Sequence, residues 1–210
     1  AYPLGLVFTH NPRTSFSEAV LTLKVSIQFS ISNAKTKCIA ITSTSPGEGK
    51  TTITANLAQA FAGAGEKVII IDADLRKPKM HKIFTKSSPE KNGNGLSSYL
   101  SNINTGNIIE QTELNNIYLI KSGPVPPNPV DLLASSRFKE LINSLSQDFD
   151  HILIDAPPHQ GFADILVLSK QVGGIILVCS IGECTRDGLR HFKKSMANVN
   201  GNVLGFIINK

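Results

Sequence analysis

The chain has 210 residues, 41% of them hydrophobic and 18% charged, a balance that supports one sizeable core and excludes a disordered chain. A formal net charge of +5 suits an anionic partner, such as a nucleotide, an acidic tail or an anionic membrane face. With no Trp and only 6% aromatic residues it lacks stacking platforms for single strands, and no nucleic-acid partner is expected. Cys38, Cys179 and Cys184 show no zinc-type spacing and are expected to be reduced thiols, and no apolar run approaches the ~20 residues that span a bilayer.

Residues 1–15 hold Pro3, Gly5 and Pro12 and read as a linker, leaving residues 16–210 as one domain. Beyond them, short β-branched runs flanked by Gly, Asp or Pro predict buried strands at 38–41, 68–71, 152–154, 175–178 and 203–208. Helices are predicted over 50–64, 129–147, 162–171 and 185–197, and residues 86–95 read as an exposed loop. The alternation implies an α/β fold of three layers, with a mostly parallel central sheet flanked by helices on both faces. Such sheets bind ligands at the carboxyl ends of their strands, where the informative motifs fall. No internal repeat is present.

After the first strand stands Thr44-Ser45-Pro46-Gly47-Glu48-Gly49-Lys50-Thr51-Thr52. This fits the phosphate-loop pattern G-x-x-x-x-G-K-[ST], with Thr44 in place of the first Gly. Gly47 and Gly49 let the backbone approach phosphate oxygens, and Pro46 to Thr52 form the nucleotide cradle at a helix N-terminus. Lys50 is placed to reach the β- and γ-phosphates, and the Thr51 hydroxyl to bind Mg²⁺. The cofactors expected are therefore ATP or ADP with Mg²⁺, in a P-loop NTPase fold.

Two further strands end in carboxylates. The second runs into Asp72-Ala73-Asp74-Leu75-Arg76 and a later one into Asp155-Ala156-Pro157-Pro158. An Asp closing a buried strand is costly unless a metal or its water compensates, and P-loop enzymes use such an Asp with the loop Ser/Thr to hold Mg²⁺. Asp155 suits that task; Asp72 and Asp74 offer a second pair on the same rim.

The order of these motifs resembles the bacterial tyrosine kinases of capsule and exopolysaccharide biosynthesis, over most of the chain. Residues 45–51 look like their Walker A motif, residues 72–76 like Walker A′, and Asp155 like Walker B. Gly123-Pro124-Val125-Pro126-Pro127-Asn128-Pro129 followed by Asp131-Leu132-Leu133 is also similar. So is Tyr2-Pro3-Leu4-Gly5-Leu6-Val7, which resembles the stretch joining a membrane anchor to such a domain. The resemblance implies an autophosphorylating kinase that transfers the γ-phosphate of ATP to tyrosine. Lys50, Asp72 and Asp74 would be catalytic, with Asp72 helping to activate the hydroxyl. Thr51, Asp74 and Asp155 would be the metal ligands. It also implies an acceptor tail rich in tyrosine, a membrane-embedded polysaccharide co-polymerase region on the N-terminal side, a cognate phosphatase, and a place on the cytoplasmic side of a bacterial inner membrane. Asn209, after the last strand, is a candidate contact for adenine.

The sequence departs from the family pattern in two places. The helix signature E-x-x-R-x-x-R reads Glu18, Leu21, Lys24, and Lys24 lacks the bidentate fork of Arg. Glu18 and Lys24 then read equally as a solvated helix face, the oligomeric state stays open, and a monomer or weak oligomer is expected of the isolated chain. The tyrosines within residues 1–210 are Tyr2, Tyr99 and Tyr118, which form no terminal cluster. Lys77, Lys79, Lys82 and Lys86 form a basic stretch around His81, either a solvated surface or a dock for an acidic tail. His151 and His159 have no partners at metal-ligand spacing and receive no role. Two other functions stay open. One is a non-catalytic ATP-binding regulator of polysaccharide assembly. The other is a partitioning-type switch ATPase, against which stands Ser45, where that class carries a lysine.

Overall fold

The structure, a computed structural model, describes residue 6 and residues 14–31, 37–84, 93–103, 106–161 and 163–209. In chain order its elements are α1 (Ser15–Ile31), β1 (Cys38–Ser43), α2 (Lys50–Ala62), β2 (Val68–Asp72), α3 (Met80–Phe84), α4 (Leu96–Leu100), β3 (Glu110–Gln111), β4 (Ile117–Ile120), α5 (Pro129–Ala134), α6 (Ser136–Asp148), β5 (His151–Asp155), α7 (Asp164–Leu168), β6 (Gly174–Ser180), α8 (Arg186–Asn198) and β7 (Val203–Asn209).

The strands form one sheet in the order β3-β4-β2-β5-β1-β6-β7, parallel except for the β3–β4 pair. β1, β2 and β5 are buried along their whole length, as expected of strands covered on both faces. Alternate residues feed two cores. On one side Ile39, Ile41 and Ile70 meet Ile27 of α1 and Leu57 and Phe61 of α2. On the other Ala40, Ile71 and Ile154 meet Phe138 and Leu141 of α6 and Phe192 of α8. Each fully buried Ile, Leu or Phe contributes roughly 1.5–3 kcal/mol, so these two layers supply the main driving force. The register sets Asp72 directly opposite Asp155, and Asp155 opposite Ile41, just before the loop that follows β1.

The predicted three-layer architecture and five strands are present. The helix predicted over 129–147 is two helices. Ser135 takes an extended backbone (ψ 152°) and its hydroxyl accepts from Phe138 N, so it caps α6 instead of continuing α5. The helix predicted over 162–171 is described only over Asp164–Leu168. β4 was not anticipated; it lies between Asn116, in the left-handed region (φ 62°), and Lys121. Within the expected linker, Leu6 is buried at 2% exposure in the α1–α2 core. Of the expected loop 86–95, residues 86–92 lie outside the described residues, and Gly93 and Gly95 are buried rather than exposed.

Candidate functional site: the phosphate loop and three carboxylates

The β1–α2 connection is held open by its own side chains. Gly47 and Gly49 both adopt left-handed backbone (φ 92° and 93°), which a side chain would strain. Glu48 is fully buried and folds under the loop. Its carboxylate accepts from Thr44 Oγ1 (2.8 and 2.9 Å), Ser45 N (2.8 Å) and, at 3.4 Å, Ser180 N. Glu48 therefore offers the cradle only its backbone; its carboxylate is a brace. Asn209, at the end of β7, donates from Nδ2 to Glu48 O (3.0 Å). It lies so close that a Cβ on Gly49 would stand 2.3 Å from it. Pro46 and Gly47 form the exposed lip, and Lys50, Thr51 and Thr52 open α2.

Three carboxylates converge on this helix start. Lys50 Nζ donates to Asp74 Oδ2 (3.0 Å) and Asp155 Oδ1 (3.3 Å), and Thr51 Oγ1 donates to Asp155 Oδ2 (2.7 Å). Asp72 Oδ2 accepts from Met80 N (3.0 Å), while Asp72 Oδ1 is buried with no hydrogen-bond partner among the described residues. Burial, reinforced by the charge of Asp155, pushes Asp72 up to about 8. Burial likewise raises Asp155, against the pull of Lys50 and Thr51. For Lys50 burial opposes the charge, but Asp155 and Asp74 outweigh it and hold the ammonium above its ordinary range. One ammonium thus faces three carboxylates and bonds only two of them, and the buried negative surplus is chemically suited to a cation. The donors are hard oxygens, which suits Mg²⁺. The three carboxylates are not arranged as a ready metal cage among the described residues.

A family model described as an AAA domain matches residues 36–204. A Klebsiella pneumoniae protein of a cps region is 35% identical over 99% of this chain, which spans only 29% of that protein's length. The tyrosine-protein kinase YwqD of Bacillus subtilis is 36% identical, covering 94% of this chain and 82% of its own. The kinase domain of the Escherichia coli tyrosine kinase ETK superposes with a TM-score of 0.92 at 31% identity, covering 100% of this chain and 81% of that one. The chain belongs to the bacterial tyrosine kinases of capsule and exopolysaccharide biosynthesis. It is an ATP-binding P-loop kinase domain.

In this kinase the signature helix is α1, and its third signature position behaves unlike a solvated residue. Lys24 is buried (9% exposed), bonds Glu66 Oε1 at 3.0 Å and lies over the Phe61 ring. Its charge is used within the chain, whereas Glu18 is exposed and Leu21 half-buried. Tyr99 and Tyr118 are half-buried against Arg137 and Phe149; Tyr2, the 2–5 stretch and Val7 lie outside the described residues. The three cysteines are free, with Cys38 and Cys179 buried. No described helix is long and apolar enough to cross a membrane.

Several contacts at the kinase site had not been read from the sequence. After Asp155 the chain continues alongside β1: Thr42 Oγ1 donates to Pro157 O, His159 N to Ser43 O and Gln160 N to Thr44 O. Gln160 Oε1 then accepts from Ser45 Oγ (2.9 Å), tying this loop to the phosphate loop. His159, buried, pairs with His191 of α8 at 3.1 Å. Only the sheet order brings these residues together, since β5 neighbours β1 although Cys38 pairs with Ile152, far along the chain.

Proposed function

We propose that the domain transfers the γ-phosphate of ATP to tyrosine hydroxyls through Lys50, Thr51, Asp72, Asp74 and Asp155. The observation that carries this is the surplus of buried carboxylate around Lys50, with Asp72 Oδ1 lacking a partner. ATP with Mg²⁺ supplies the phosphoryl group and the cation that offsets its charge. Pro46 to Thr52 present backbone N–H groups and the start of α2 to the phosphates. Lys50 exchanges carboxylates for phosphate oxygens. Thr51, Asp74 and Asp155 would hold the metal. Asn209, seated on the loop, borders the space for the base.

Asp72 accepts the proton of the acceptor tyrosine. A tyrosine hydroxyl ordinarily titrates near 10. Once the bound cation favours its ionised form, Asp72 can take that proton, and burial with the charge of Asp155 strengthens its hold on it. The acceptor is a tyrosine-bearing tail of the same or a neighbouring chain. The physiological partners are a membrane polysaccharide co-polymerase region and a phosphatase, and the domain works on the cytoplasmic face of the membrane.

The test is incubation of the full-length protein with γ-labelled ATP and Mg²⁺, followed by phosphoamino-acid analysis. Phosphotyrosine, lost in Asp72→Asn, is the expected result. Nucleotide binding without any phosphoamino acid would instead mark a non-catalytic regulator. Release of phosphate alone would mark a switch ATPase.

A further inference from the structure

We propose that Lys77 and Lys79, on the β2–α3 connection, and Lys82, in α3, form a docking surface for an acidic acceptor segment, one that carries its tyrosine among Asp or Glu residues. The inference rests on the kinase reading above and adds the chemistry of the acceptor. All three lysines are exposed, and none has a carboxylate within ion-pair distance among the described residues. Nearby Lys121 is already engaged with Glu110 (2.8 Å) and Arg76 with Asp164 (3.5 Å), so the uncompensated charge belongs to these three.

Their position matters more than their number. The segment that carries them is pinned at two points to the site's carboxylates: Lys77 N donates to Asp74 Oδ1 and Met80 N to Asp72 Oδ2, each at 3.0 Å. The lysines therefore stand at a fixed offset from the group that receives the tyrosine proton. Their field is felt locally. His81, turned inward beside them, is held below its ordinary range first by burial and then by the charges of Lys82 and Lys121. The arrangement also answers an electrostatic difficulty. An acidic segment approaching Asp72, Asp74 and Asp155 meets repulsion from the interior, and a positive rim offsets it before contact. A basic segment would meet the reverse: attraction inside and repulsion at the rim.

The experiment uses three synthetic peptides, each with one tyrosine flanked by Glu, Gln or Lys. Each also has a Phe version that binds but cannot react. Binding is read by fluorescence anisotropy and phosphorylation by kcat/KM, at low and moderate salt. The acidic peptide should bind about tenfold more tightly than the neutral one at low salt, and the advantage should shrink as salt screens it. The triple variant Lys77→Gln, Lys79→Gln, Lys82→Gln should lose the preference while ATP affinity and kcat on the neutral peptide hold. The corresponding triple Glu variant should favour the basic peptide. Equal binding of all three peptides to the parent protein overturns the proposal even if every one is phosphorylated. So does an unchanged preference in the Gln variant, or a fall in its ATP affinity as large as its loss of acidic peptide, which would make this a nucleotide surface. Tight, lysine-dependent binding of acidic peptide with no phosphorylation of any peptide would leave the docking surface standing and overturn the kinase reading instead.

Discussion

The two ends of the central sheet hold charge clusters of opposite balance. At the amino ends of β2 and β5 a single carboxylate, Glu66, serves three donors: Lys24 of α1 at 3.0 Å, Gln28 at 3.2 Å and His151, itself stacked on Phe61. Burial alone would raise Glu66, but His151 and Lys24 more than cancel that and hold it below its ordinary range. At the carboxyl ends one ammonium, Lys50, faces three carboxylates and bonds only Asp74 and Asp155, and Asp72 and Asp155 are pushed up. The first cluster is complete in itself and fastens α1 to the body of the domain. The second is short of positive charge. A deficit that the protein does not correct marks a place where something else brings the charge.

If that contrast is right, changes at the carboxyl end should cost function and changes at the amino end should cost stability. The largest effect is expected of Lys50→Met. It removes the one cation of the cluster and the charged partner of the phosphates, so ATP affinity should fall by about 100-fold or more. Isothermal titration of the folded variant checks this, and an unchanged affinity would remove the nucleotide from this loop.

Next come Asp74→Asn and Asp155→Asn. These carboxylates act on charge that develops during transfer, so the rate should drop by about 100-fold while ADP affinity changes far less. Single-turnover transfer measured beside equilibrium binding separates the two. Wild-type rates at saturating Mg²⁺ would reduce both residues to structural caps.

How much of this was legible in the sequence follows from which contacts are local. The phosphate loop and the three Asp residues could be read because each lies at the end of a hydrophobic strand, and strand order in such sheets brings those ends together. The side chain of Glu48 could not be read: whether it faces phosphate or folds beneath the loop depends on Thr44, Ser45 and Ser180 closing around it. Lys24 misled for the same reason. Its spacing from Glu18 fits a solvated face, but Glu66, 42 positions away, turns it inward. His151 seemed idle because its partner Glu66 is 85 positions away.

At the amino end, Glu66→Ala should leave function intact and lower stability. It strands the Lys24 ammonium at 9% exposure and removes the acceptor of His151. The cost should be about 2 kcal/mol, a fall of roughly 4–8 °C in Tm for a domain of this size. Calorimetry checks it, with ATP affinity on the folded variant as the companion measurement. An unchanged Tm would mean that packing of Val20, Ile27 and Ile31 alone holds α1.

The most diagnostic effect concerns Asp72 and pH in the nucleotide-free protein. Its ordinary value is 3.8, and burial with the charge of Asp155 pushes it to about 8 in the fold. Between those values the folded chain binds more protons at this position than the unfolded chain. Stability contributed here is therefore fully present below about 4 and is lost as pH rises through 8. This is the reverse of the usual salt-bridged aspartate, and it follows first from burial and then from the charge of Asp155, which Lys50 does not offset. Asp72→Asn keeps the shape and removes the titration. The melting temperature of the Asn variant should draw ahead of the parent as pH rises from 5 to about 8, and the gap should stop growing above that. Saturating ATP with Mg²⁺ should narrow the gap, because the added cation favours the ionised carboxylate in the parent and has nothing to favour in the variant. Scanning calorimetry of both proteins at a series of pH values, with and without nucleotide, measures it. Parallel curves across that range would mean that Lys50 already satisfies all three carboxylates, and the contrast between the two ends of the sheet would disappear.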